Sequence, residues 1–147
     1  GREYEFNFLP RVREDFEKII VFSNFSDAKN LVPSIRFNYI LDKQIFISSS
    51  VIMGVEKRND LLDLENTFVA IPNQLLLNEE NTVSTFKEKF TEAFLKDLIQ
   101  IALLKETNYG NAKVKGNFGN INYLQNFCSD YELNIAMINS NGNFVRL

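Results

Sequence analysis

The stretch Lys115-Gly116-Asn117-Phe118-Gly119-Asn120-Ile121-Asn122-Tyr123 constrains the fold more than any other part of the chain. A basic residue and glycines lead into residue types that alternate with a period of two, which reads as a strand with two unlike faces. Phe118, Asn120 and Asn122 would share one face, and Gly119, Ile121 and Tyr123 the other. With Ile121 and Tyr123 packed inward, Phe118 stands on the open face beside a lysine and two amides. A flat ring in that company suits a stacked base. An ordinary strand with one exposed phenylalanine gives the same pattern.

Composition bounds what can surround this strand. The 147 residues suit one ordinary domain, or one small domain with part of another. At 45% hydrophobic and 24% charged the chain is expected to be globular and soluble. No apolar run reaches transmembrane length and no secretory signal opens the chain, so no membrane partner is expected. The start at Gly1-Arg2 and an end at Leu147 within an apparent strand suggest a piece of a longer protein. The single Cys128 excludes an internal disulfide framework and a multi-cysteine zinc site, and points to a reducing compartment, cytoplasmic or nuclear. The absence of histidine removes Ser-His and Cys-His nucleophile pairs, histidine acid–base work and histidine metal ligands. No cofactor signature is present. The net charge of −3 argues against strong non-specific polyanion binding but leaves room for a local basic patch. The many asparagines, with the Phe, Ile and Lys usage, read as AT-rich coding and carry no functional signal.

In the first half, Pro10 suits the first turn of a short helix, and Lys18–Phe25 is β-branched and aromatic, as strands are. Glu14, Asp15 and Glu17 beside Lys18 read as a solvated helix face, with a metal or acid–base role as the alternative. Ser26-Asp27 is an N-cap for a short helix from Ala28, interrupted by Pro33. Ile35, Phe37, Tyr39 and Leu41 alternate with other residues, which favours a strand, while a helix over Leu31–Leu41 stays open. Asp42-Lys43 forms a turn into a strand over Gln44–Met53, and the charged run from Gly54 to Asn66 reads as a linker. Within it Asp63 and Glu65 have a weak metal-ligand spacing that reads better as loop solvation.

In the second half, Asn66–Ile71 reads as a strand ended by Pro72, and Asn78–Asn81 as a polar turn. Thr85 and Glu88 form a capping box, followed by a helical stripe over Val83, Phe86, Phe90 and Ala93/Phe94, with Glu92 and Lys96 paired at i,i+4. Leu98–Leu104 is almost wholly apolar, and periodicity does not decide between a longer helix and a buried strand. Thr107–Ala112 reads as a loop. Leu133, Ala136 and Met137 within Ser129–Ile138 are spaced for a helix face, Asn141-Gly142 is a turn, and Phe144–Leu147 is a last strand.

The order from Asn66 onward resembles an RNA recognition motif (RRM) domain. That family's third strand runs Lys/Arg-Gly-aromatic-Gly/Ala-aromatic-Val/Ile-x-aromatic. Lys115-Gly116 and then Phe118–Tyr123 follow it, with Asn117 inserted. Thr67-Phe68-Val69-Ala70-Ile71-Pro72 is similar to the family's first strand, and Leu133–Gly142 to the end of its second helix, with Ser140 in the usual apolar slot. Ile20–Phe25 also resembles a first strand. The resemblance implies an α+β chain: a βαββαβ ferredoxin-like RRM fold with an antiparallel sheet over 64–147, and residues 1–63 as an N-terminal extension or a shortened, partial second copy. It implies that the helix stops near Phe94 and that Leu98–Leu104 is the second strand; a single helix to Lys105 would contradict it. It also implies the site. Phe68 and Phe118 would stack bases, Asn120 (in place of a third ring) and Asn122 would read base edges, and Lys113 and Lys115 would hold phosphates.

The function expected is therefore non-catalytic binding of single-stranded RNA, as part of a larger RNA-binding protein. The alternative is an RRM-like module for protein–protein interaction or self-association, which the acidic balance and the missing ring favour. An enzyme ranks third; without histidine it would have to use carboxylates such as Asp63/Glu65 or Glu14/Glu17.

Overall fold

The β-branched run Lys18–Val21 forms the first strand, β1, of the computed structural model, which describes residues 15–38, 43–76, 85–107, 110–124 and 130–147. The helix expected from Pro10, Glu14, the turn at Asn78–Asn81 and Cys128 lie outside these residues. Helix α1 (Phe25–Asn38) follows. Its cap is Asn24, whose Oδ1 accepts the Asp27 N–H at 2.9 Å, rather than Ser26-Asp27. Ala28, Val32 and Ile35 fall at helical spacing against the core, so residues 35–38 are helical instead of forming the expected strand. Pro33 sits on the exposed side.

Strand β2 (Gln44–Ile47) gives way at Ser48 to helix α2 (Ser49–Met53), so the strand expected to reach Met53 is shorter. The supposed linker contains a 3-10 helix, Arg58–Leu64, closed at its start by Lys57 N–H donating to Asp60 Oδ2 at 3.1 Å. Leu61 and Leu64, one 3-10 turn apart, are both fully buried. Strand β3 (Thr67–Ala70), helix α3 (Asn73–Leu76) and helix α4 (Phe86–Glu106) come next. They are followed by β4 (Ala112–Lys115), β5 (Gly119–Tyr123), β6 (Asp130–Leu133), β7 (Ile135–Ile138) and β8 (Phe144–Arg146).

The chain is α+β, as expected, with helices packed on mixed sheet. Five strands order as β1-β2-β3-β7-β8, and a smaller sheet as β4-β5-β6. The first three strands are parallel, and the remaining pairings are antiparallel. Two expected elements are corrected. Leu98–Leu104 belongs to α4, the long helix that the RRM comparison excluded. Residues 130–138 form two strands, not a helix. From β3 onward the order is therefore β-α-α-β-β-β-β-β rather than βαββαβ. The expected division at residues 63 and 64 falls between β2 and β3, which are paired neighbours in one sheet.

Successive parallel strands stepping in one direction through right-handed crossovers place both connections on one face. Accordingly Ala28, Val32, Val51, Ile52, Leu61 and Leu64 share a core with Val21, Ile45, Ile47, Val69, Ala136 and Ile138. The other face of the sheet carries an in-register row, Ile20–Phe46–Phe68–Met137–Val145. Ile20 and Val145, at its two ends, are exposed.

Candidate functional site

The six residues that sequence reasoning assigned to RNA fall into three places. Phe68 lies in the row just described, half-buried and stacked on Phe46 with ring centroids 5.1 Å apart. Phe118 sits in the turn before β5, partly buried against the core and tilted on Phe90 at 5.6 Å. Lys113, Lys115, Asn120 and Asn122 do come together: β4 pairs Lys113 with Asn122 and Lys115 with Asn120, on the face of the small sheet opposite buried Ile121 and Tyr123. Strand β6 then adds two acids to that face, Glu132 opposite Asn120 and Asp130 opposite Asn122. Glu132 Oε2 accepts from Lys113 Nζ at 2.7 Å and from Asn120 Nδ2 at 2.9 Å. These bonds and the lysine's charge hold its carboxyl below the usual carboxylate range. Of the two lysines meant for phosphate, Lys113 is thus paired, and a phosphate on this face would meet carboxylates.

The glycine pattern of this stretch has a structural cause. Asp97, fully buried on α4, accepts the Asn117 N–H at 2.6 Å, Asn117 Nδ2 at 2.8 Å and the Phe118 N–H at 3.1 Å. A side chain on Gly116 would crowd Ile121 and the Asp97 carboxylate. Gly119 has φ +146°, and a Cβ there would run into the Glu132 carbonyl. The turn therefore serves the clasp between α4 and the small sheet. Tyr131, beside Ile121 across the β5–β6 pair, has its phenol pushed up by burial and further by the Asp97 charge.

Helix α4 carries the feature that sequence reasoning missed. Its buried residues are Phe90, Ala93 and Asp97. Half a turn away, at 100° per residue, run Leu95, Leu98, Ile99, Ala102 and Leu103, all exposed and spaced i, i+3, i+4, i+7, i+8. The four large side chains of this stripe are 44–60% exposed. Phe94, 54% exposed, joins the stripe to a pocket of ≈ 310 Å³ lined by Ser49, Met53, Phe90, Thr91, Phe94 and Phe118. The sequence signal was available: a capping box at Thr85 and Glu88, then apolar residues on two sides of one helix. No described helix is long and apolar enough to cross a membrane, and no described group of three or more His, Cys, Asp or Glu is placed to hold a metal.

No protein family model matches the chain, and no curated protein matches it. Among solved structures, the chain is similar to the LpoA (YraM) C-domain from Haemophilus influenzae, described as a regulator of PBP1A, at 8% identity and a TM-score of 0.63. The match covers 92% of this chain and 46% of that one, so the chain spans about half the length of its structural neighbour. At that identity the likeness is one of fold.

Proposed function

We propose that the chain is a non-catalytic protein-docking domain that receives a partner on the outer side of α4. The carrying observation is the apolar stripe Leu95–Leu98–Ile99–Leu103 opposite the helix's buried side. Side chains left about half exposed in one stripe make a patch of roughly a few hundred Å², the size of the largest apolar patch on a typical monomer, which is often functional. The adjoining pocket gives a partner side chain somewhere to anchor, as interface hot spots require. Phe118 has a part in this reading as a wall of the pocket instead of a base-stacking ring. The LpoA C-domain, similar in fold, is described as a regulator of PBP1A, a role that a protein-docking surface would serve. The RNA reading loses support where Lys113 is paired with Glu132 and where Phe68 and Phe118 lie against different rings, Phe46 and Phe90.

The test compares three titrations. Wild-type protein is used to isolate a partner, and the purified partner is then titrated calorimetrically against wild type, Leu98→Glu/Ile99→Glu and Val145→Glu. The double variant is expected to weaken binding about a hundredfold, since burying a large aliphatic side chain contributes about 1.5–3 kcal/mol, and Val145→Glu to leave it unchanged. Equal affinity for all three proteins overturns the reading. So does saturable binding of short single-stranded RNA that Phe68→Ala or Phe118→Ala abolishes.

A further inference from the structure

The pocket beside the α4 stripe and the charges along that helix together describe what docks there. The pocket lies between α2 and α4, with Ser49 and Met53 on one side, Phe90, Thr91 and Phe94 on the other, and Phe118 from the turn before β5. Its hydroxyls are engaged by main chain: Ser49 Oγ donates to the Ala70 carbonyl at 2.7 Å, and Thr91 Oγ to the Lys87 carbonyl at 2.8 Å. What remains is three phenyl rings and a thioether, a lining that favours an aromatic ring over an anion. At ≈ 310 Å³ the space suffices, since a cavity of about 150 Å³ holds benzene.

Lys87, Thr91, Phe94, Leu98 and Lys105 are spaced i, i+4, i+7, i+11 and i+18, which places them on one side of α4. Lys87 and Lys105, both exposed, therefore bracket the pocket side at a separation of about five turns. Lys89 and Lys96 lie on the other margin of the stripe. Three of the helix's acids are already engaged: Glu88 takes the Thr85 N–H at 2.8 Å, Glu92 pairs with Lys96 at 2.6 Å, and Asp97 is buried in the clasp. Lys87, Lys89 and Lys105 have no ion-pair partner among the described residues, against one such acid, Glu106, beyond the end of the stripe. The main chain of α4 is hydrogen-bonded within the helix, so the face offers side chains alone. A ridge of side chains at helical spacing is complementary to another helix.

We infer that the partner received on α4 is an amphipathic helix of another protein, with one aromatic residue seated in the Phe94–Phe118 pocket and acidic residues along its margins. The inference rests on α4 being the docking face. Seated in this way, the partner's ring meets three rings and the Met53 sulfur. Its acids meet Lys87 and Lys105 on the pocket side and Lys89 on the far margin. A second copy of α4 would bring the same surplus of lysines with it. A nucleic acid would pair with the lysines but leave the stripe between them in water.

The experiment uses the whole chain and helical peptides of about five turns. One has a Leu face, a central Trp and Glu margins; a second has Lys margins, and a third has Ala in place of the Trp of the first. The chain contains no tryptophan, so indole emission reports on the peptide alone. Calorimetry is expected to show the Glu-margin Trp peptide binding about tenfold more tightly than its Ala counterpart. It should also bind about fivefold more tightly than the Lys-margin peptide. Its emission is expected to shift to the blue as the indole leaves water. Thr91→Phe, which fills the pocket with a ring from an exposed position, is expected to abolish that shift. Lys87→Glu/Lys105→Glu, on exposed side chains, is expected to reverse the margin preference. Equal affinity of the Trp and Ala peptides, an unchanged shift in Thr91→Phe, an unreversed preference in the lysine variant, or a dimer that Leu98→Glu/Ile99→Glu dissolves each overturns the inference. If no peptide binds while Leu98→Glu/Ile99→Glu still weakens binding of the isolated partner, the inference falls and docking on α4 stands. If the isolated partner binds that variant as it binds wild type, docking on α4 falls and the inference with it.

Discussion

Asp97 binds three N–H donors, with no cation paired to it among the described residues, and it does so from a fully buried position. An acceptor removed from such a site leaves each donor to bear its desolvation cost, about 1–3 kcal/mol. Asp97→Ala is therefore expected to lower stability by about 3 kcal/mol, read as a shift of the urea midpoint, and to speed exchange of the Asn117 and Phe118 amides. A loss under about 1 kcal/mol would show that water replaces the carboxylate without penalty. The outer face of the small sheet behaves differently because it is exposed. The Glu132 carboxyl is lowered by its hydrogen bond from Lys113, then by that from Asn120 and by the lysine's charge. What the pair contributes is present above the ordinary carboxylate range and is lost as pH falls through the lowered value. Carboxyl NMR is expected to place the Glu132 midpoint below that of an ordinary glutamate. In Lys113→Met it should move up toward the ordinary value; an unmoved midpoint would rule out the lysine as the cause.

At the scale of elements, α4 separates what the sequence discloses from what it hides. Its start is written locally: the Thr85 side chain takes the Glu88 N–H at 3.3 Å, and Glu88 takes the Thr85 N–H at 2.8 Å. Strand β3 was also legible, because Thr67 and Val69 alternate with their neighbours and Pro72 follows directly. The second half of α4 was not, since its outer stripe is apolar as well. Two apolar sides merge into the run Leu98–Leu104, in which the period of 3.6 is blurred. Strands β6 and β7 failed in a similar way. They are short, and the chain changes sheets at Asn134, so the apolar positions Leu133, Ala136 and Met137 imitate one helix face. The Arg58–Leu64 helix was hidden among charges, with only Leu61 and Leu64 facing in. The two sides of α4 should tolerate substitution differently. Phe90→Ala, on the buried side, is expected to cost about 3–5 kcal/mol. Leu98→Glu, on the outer side, should stay within about 0.5 kcal/mol of wild type. Thermal unfolding of the two variants checks this, and comparable losses would mean that the outer stripe is packed within the monomer.

Across the whole molecule, the two sheets are joined by a knot of asparagines that composition had presented as coding bias. The Asn73 N–H donates to the Asn117 carbonyl at 2.8 Å, and Asn73 Nδ2 donates to the Gly116 carbonyl at 3.1 Å. Asn134 Nδ2 donates to Asn73 Oδ1 at 3.0 Å, while the Asn134 main chain bonds Phe118 beside one sheet and Ile71 beside the other. Asp97 holds the same turn from α4, so helix, hairpin and main sheet meet within a few residues. Side-chain amides suit this junction because each supplies both donors and acceptors to backbone that belongs to neither sheet's ladder. The main sheet has its own core of buried aliphatic side chains, whereas the small sheet depends on α4 and this junction for its placement. Asn73→Ala/Asn134→Ala removes the side-chain bonds and leaves the main-chain ones, for a loss of about 1–3 kcal/mol. That loss should fall unevenly. Exchange of the β4–β6 amides is expected to rise about tenfold or more relative to β1–β3, because the small sheet then opens without the rest. Uniform acceleration of all strands would show instead that the two sheets unfold only together and that the asparagines stabilise the molecule as a whole.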